Sequence, residues 1–166
     1  LTQTVTLETW VKVDVYTSTW TPILYKGDGL SDRQRTYSLF LNANGSVAFS
    51  TGDGGEQGVQ TVAGLVPVGE WHHVAAVMDR VSGEIRVLVD GVQQASAVVR
   101  KNAASSSAGP LVIGANIEAN AGQVNFRGSL DDIRVWSVAR SNDDIAAGRN
   151  APLVGTEAGL VVYFKA

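Results

Sequence analysis

The chain has no cysteine, so no disulfide or thiolate chemistry enters, and the fold must hold through burial and hydrogen bonds. Only 17% of its 166 residues are charged, and a net charge of −3 supplies no basic field for nucleic acid or an anionic membrane surface. No apolar run approaches the roughly 18 residues of a membrane-spanning helix, so no membrane insertion is expected. No secretory pattern stands at Leu1. Histidine is scarce: the two present, His72 and His73, are adjacent. On a strand they point to opposite faces, which argues against a shared zinc site. No period of 20 to 50 residues repeats, which argues against a solenoid or propeller. What the chain has in quantity is apolar residues (45%) and glycine (18 residues), the composition of a globular domain with many turns. Its length fits one domain with a sizeable core.

The stretch 70–91, EWHHVAAVMDRVSGEIRVLVDG, reads as the organising β-hairpin. Trp71, His73, Ala75 and Val77 share one face, and His72, Val74, Ala76 and Met78 the other. A run apolar on both faces predicts a strand covered on both sides. Asp79 to Gly83 reverses the chain. Ile85, Val87 and Val89 alternate with Glu84, Arg86 and Leu88, and Asp90-Gly91 supplies a pair that tolerates positive φ. Val77, Val87, Ile133 and Trp136 are expected to be buried between two sheets, and Trp71 to be core as well.

Elsewhere the spacing predicts a long strand from Val5 to Val15 and short strands at 23–26, 37–41, 47–49, 59–62, 92–99, 111–114, 130–136 and 160–164. Asn42 to Gly45 forms a tight turn. Ser141, with an acidic residue three positions later, caps a short helix that Gly148 ends. About ten short strands, one helix and regularly spaced turns predict an all-β fold of two antiparallel sheets packed face to face.

Three groups of residues carry a resemblance. W-H-H-V-A-A-V-M-D followed by I-R-V-L-V-D-G, then F-R-G-S-L-D-D-I-R-V-W at 126–136, and T-L-E-T-W-V-K at 6–12 are together similar to the laminin-G-like, or concanavalin-A-like, jelly-roll domains. The match covers nearly the whole chain and implies a jelly-roll sandwich. It implies a fold far more than a function. The family's usual opening strand, with an F-D-G-like motif, has no counterpart before Glu8, and Leu160 to Phe164 can fill the vacant edge. The chain is expected to be one domain, residues 1–166, excised from a larger extracellular or cell-surface protein.

Catalysis finds little support. Glycosidases need two carboxyl groups about 5–9.5 Å apart, and no strand carries acids at i and i+2. Glu8 and Asp14 share a face at a separation of roughly 20 Å, while Asp131 and Asp132 are adjacent and diverge. Calcium finds more. Asp28 and Asp32 lie in one glycine-containing loop with Arg33, Asp53 and Glu56 in a second, and Asn116, Glu118 and Asn120 in a third. Calcium takes six to eight oxygens from such loops, though solvated polar loops would look the same. The resemblance favours two places. In pentraxins, which share this architecture, the loop after the I-x-G strand ligates calcium, implying Asn116, Glu118 and Asn120 with Asp32 or Asp28. Laminarinase-like relatives hold a convex-side calcium at a position matching Asp131, for which a strand-start hydrogen bond or salt bridge is the alternative. Trp20 is the aromatic candidate for stacking on a sugar, the alternative being a ring tucked against the sandwich edge.

The reading that results is a non-catalytic, lectin-like carbohydrate-binding module, calcium-assisted, meeting a glycan or glycoprotein surface and the neighbouring domains of its parent chain. A structural or protein-binding adhesion module without sugar binding is the alternative, and a degenerate hydrolase the third reading.

Overall fold

The computed structural model describes residues 3–29, 34–53, 55–103, 106–118 and 124–165. Within them the chain forms β1 (Thr4–Val13), β2 (Trp20–Gly27), β3 (Arg35–Asn42), β4 (Val47–Gly52), β5 (Glu56–Gln60), β6 (Trp71–Asp79), β7 (Glu84–Val89), β8 (Val92–Val98), β9 (Leu111–Ile113), β10 (Gly128–Trp136), α1 (Asn142–Gly148) and β11 (Leu160–Phe164). Two antiparallel sheets result. One has six strands in the order β11-β10-β1-β6-β7-β8, and the other five in the order β5-β4-β3-β2-β9. The expected two-sheet sandwich is therefore present, with β11 pairing β10 at the edge of the larger sheet.

Period-two alternation puts one face of each sheet into a common core. Val5, Leu7 and Val11 of β1, Val74, Ala76 and Met78 of β6, Ile85 and Val87 of β7, and Ile133 and Val135 of β10 meet Ile23, Leu24, Tyr37, Leu39, Leu41, Val47 and Phe49 of the smaller sheet. The turns follow the residues. Asp90 and Gly91 both take positive φ, 53° and 82°, which closes the β7–β8 hairpin as the Asp-Gly pair implies. Gly45, at φ 79°, closes β3 onto β4 through a hydrogen bond from its N–H to the Asn42 carbonyl.

Part of the outer face of the six-stranded sheet is covered by α1 and the chain around it. Ser141 caps α1, its hydroxyl accepting from the Asp144 N–H. Ile145 packs on Ala75, Val77 and Leu88, a second apolar cluster. This is why β6 is apolar on both faces. It also corrects the expected core: Val87 and Ile133 lie between the sheets, but Val77 lies on the opposite face beneath Ile145. Trp136 is buried away from the intersheet core, with the Arg140 guanidinium 4.3 Å from its ring centroid. Beside them Glu8 is fully buried, bonded to Arg140 at 2.5 Å and 3.5 Å from His73. His73 is thus a buried structural residue. Trp71 departs from expectation, being 45% exposed. As the first residue of β6, paired with Lys12, it stands at the end of the strand.

Candidate functional site

The outer face of the five-stranded sheet holds a hollow of about 320 Å³ lined by Trp20, Arg35, Phe40, Ala48, Ser50, Glu56, Asn116 and Glu118. Strand register assembles it. Phe40 pairs with Ala48 on one side and Pro22 on the other, and Trp20 pairs with Asn42, so one aromatic from β2 and one from β3 share the surface. Trp20 is 43% exposed, whereas Phe40 is buried. Arg35, at the start of β3, lays its guanidinium 5.0 Å from the Phe40 ring centroid.

That guanidinium organises the polar side of the hollow. Its Nε donates to Glu118 Oε1 at 2.5 Å, and its Nη2 to Glu118 Oε2 at 2.8 Å. Its Nη1 donates to Ser50 Oγ at 2.8 Å and to Glu56 Oε1 at 3.1 Å. Ser50 Oγ in turn lies 2.9 Å from Ser38 Oγ. The bidentate fork holds Glu118, which is 8% exposed, in one orientation. Tyr25 lies beneath, fully buried; burial first, then the negative charge of Glu118, pushes its phenol up to about 12. Its ring occupies the space over Gly27, with the hydroxyl 2.5 Å from where a Cβ would stand, so only glycine leaves room there. The loop after β9 is held by an Asx turn, Asn116 Oδ1 accepting from the Glu118 N–H at 2.9 Å, and by the Asn116 N–H to the Val124 carbonyl at 3.1 Å.

The residues singled out from the sequence therefore divide. Trp20, Asn116 and Glu118 come together in the hollow; Trp20 is the first residue of β2, not a loop residue. Asp28 is exposed in the loop after β2. The Ile117 carbonyl lies 2.9 Å from where a side chain on Gly29 would begin, so the two loops do meet at one end of the sandwich. Asp32, Arg33 and Asn120 lie outside the described residues. Glu56 belongs to β5 and reaches the hollow, while Asp53 is buried against Arg80 and Arg100. Asp131 is on β10, remote from the hollow, its Oδ1 accepting from the Asp132 N–H at 2.7 Å. It borders another depression with Trp10, Trp71, Asp132 and Asn150. There Asp132 is engaged by Arg134 and by the Tyr163 hydroxyl. Among the described residues no three histidine, aspartate or glutamate side chains converge to hold a metal ion. Arg35, Phe40, Ala48 and Ser50 are the lining residues that sequence reasoning missed.

The comparisons agree with this architecture. Residues 1–146 match the family described as the concanavalin A-like lectin/glucanases superfamily, and the chain belongs to it. No curated protein matches the chain. Among solved structures it is similar to a candidate carbohydrate-binding protein from Bacteroides ovatus ATCC 8483, at TM-score 0.80 and 20% identity over 98% of this chain and 45% of that one. It thus spans under half of that protein. It is also similar to the heptameric SAP-like pentraxin of Limulus polyphemus, at TM-score 0.71 and 16% identity, covering 99% of this chain and 81% of that one. The CBM40 of the Ruminococcus gnavus IT-sialidase, bound to α2,3-sialyllactose, gives TM-score 0.71 and 18% identity, covering 88% and 82%. At these identities the likeness is one of fold.

Proposed function

We propose that this domain is a non-catalytic carbohydrate-binding module whose glycan sits in the hollow on the five-stranded sheet. The observation that carries the reading is the pairing of a half-exposed ring, Trp20, with a fixed polar cluster, Arg35, Glu118, Glu56 and Ser50, on one concave surface. An indole face offers apolar contact to the C–H face of a pyranose, while held donors and acceptors meet its hydroxyls. Groups already held by one another are preorganised, and little ordering entropy is lost on binding. Two of the similar folds are described as carbohydrate-binding, which supports the same reading. Glu56 and Glu118 both accept from one guanidinium, an arrangement that anchors its charge within the hollow.

Calcium assistance is the finer part of the proposal. The ion would call on Asp28, Asn116 and Glu118, with Asp32 from outside the described residues. As the described donors stand, they do not make such a site: Glu118 has both oxygens on Arg35, and Asn116 Oδ1 caps its own loop. No step of recognition is therefore routed through calcium. Placement in a larger extracellular or cell-surface protein belongs to the same proposal. A glycan array with the wild type and Trp20→Ala tests the reading. Specific binding by the wild type that Trp20→Ala loses is the expected result. An array with no binder would leave the adhesion-module alternative as the better one.

A further inference from the structure

We infer that the hollow selects neutral, hydroxyl-rich glycans and rejects acidic ones. The inference rests on the glycan-binding reading and adds the charge class of the ligand.

Among the described residues lining the hollow, Arg35 is the one cation, and Glu56 and Glu118 are two anions. These described residues therefore carry an excess of one negative charge. The distribution of donors matters more than the sum. A sialic or uronic carboxylate is captured by a guanidinium that offers two parallel N–H groups. In Arg35 the N–H donors are directed within the protein: two meet Glu118, and Nη1 meets both Ser50 and Glu56. An arriving carboxylate would have to displace a bidentate partner that is 8% exposed and tied to its loop through its own N–H. It would also approach within contact of two like charges in a partly desolvated recess.

A neutral sugar meets no such opposition. Its hydroxyls donate as well as accept. They can donate to the half-exposed carboxylate of Glu56 and accept from Ser50 or from the Asn116 amide. Trp20 supplies the apolar platform, since Phe40 is already covered by the Arg35 guanidinium. The arrangement thus differs in kind from a site built to receive a carboxylate, even though one similar fold is described bound to sialyllactose.

The test is an array of neutral oligosaccharides beside their sialylated and uronic-acid counterparts, followed by titration calorimetry on matched pairs in low and high sodium chloride. Neutral glycans are expected to bind at least about tenfold more tightly than acidic counterparts, with an affinity that salt leaves nearly unchanged. Glu56→Gln, which removes one negative charge while keeping the shape, is expected to narrow that gap by strengthening the acidic arm. An acidic glycan that binds as tightly as its neutral counterpart, or more so, overturns the inference and leaves the glycan-binding reading intact. An array blank in both arms overturns both.

Discussion

Arg35 and Glu118, 83 positions apart in sequence, meet through two parallel hydrogen bonds of 2.5 and 2.8 Å. The pair ties the start of β3 to the loop after β9, across the intervening strand β2. Glu118→Ala leaves a guanidinium without its main partner in a site 13% exposed. The expected loss is about 2–4 kcal/mol, somewhat below that for a fully buried pair. Thermal melting should show a fall of several degrees, each kcal/mol moving a domain of this size by roughly 2–4 °C. An unchanged melting point would mean that the pair contributes nothing to holding the hollow.

Trp20 separates binding from folding. Because the ring is nearly half exposed, Trp20→Ala should cost stability little, about 1 kcal/mol or less. Glycan affinity should fall at least about tenfold. Calorimetry and melting on the same preparation distinguish the two. A variant that melts normally and still binds would remove Trp20 from the site.

The two faces of β7 carry different loads. Val87→Ala opens a cavity between the sheets, and Leu88→Ala one beneath α1. Each should cost about 2–4 kcal/mol by denaturant unfolding. Amide exchange should part them, with protection in α1 lowered selectively by Leu88→Ala. Equal effects on α1 from both variants would contradict the separation of the two clusters.

Glu8 sets an acid limit. Burial raises its carboxyl, but the nearby His73 and the charge and hydrogen bond of Arg140 outweigh burial, and the folded value lies below the ordinary 4.5. Its contribution is therefore complete above about pH 4.5 and is lost as pH falls from there through the lowered folded value. Glu8→Gln should be less stable at neutral pH and flatter in acid. Parallel melting curves for wild type and variant between pH 5 and about pH 3 would contradict this.

Calcium is decided by melting in calcium against chelator. An ion bound to the folded state alone would stabilise by about 2.7 kcal/mol at a hundredfold excess over its Kd, a shift of several degrees. If Glu118→Gln abolishes the shift, the ion is at the hollow; if Asp131→Asn does, it is on the other sheet. No shift in the wild type removes calcium from the reading.

The architecture was legible because it follows from local alternation. Val74, Ala76 and Met78 inward, with Ala75 and Val77 outward, is period two and nothing more. Which buried face meets the other sheet and which meets α1 was not legible, since alternation is symmetric between faces. Hence alternation alone does not tell that Val77 and Trp136 lie outside the intersheet layer. Trp71 reads as core by its neighbours, yet lies exposed at the end of its strand. Of the residues lining the hollow, Trp20, Asn116 and Glu118 stand out in the sequence by chemical type. Phe40 left a signal that went unused: an aromatic interrupts the polar face of Thr36 and Ser38, opposite Tyr37, Leu39 and Leu41. Arg35 left none, because its meaning depends on a partner from a distant loop.

α1 covers the middle of the six-stranded sheet's outer face, and the hollow lies on the opposite sheet. With the hollow as the proposed glycan site, each copy would make one contact, and its grip on a dense surface would be limited to the affinity of that contact. Stronger attachment would then come from repetition. Two such domains on a linker that lets both hollows reach the same surface would gain roughly 10²–10⁴ in avidity without a new contact. A linker that turned one copy over would forfeit that gain, because the covered face has the helix, not the hollow, to present.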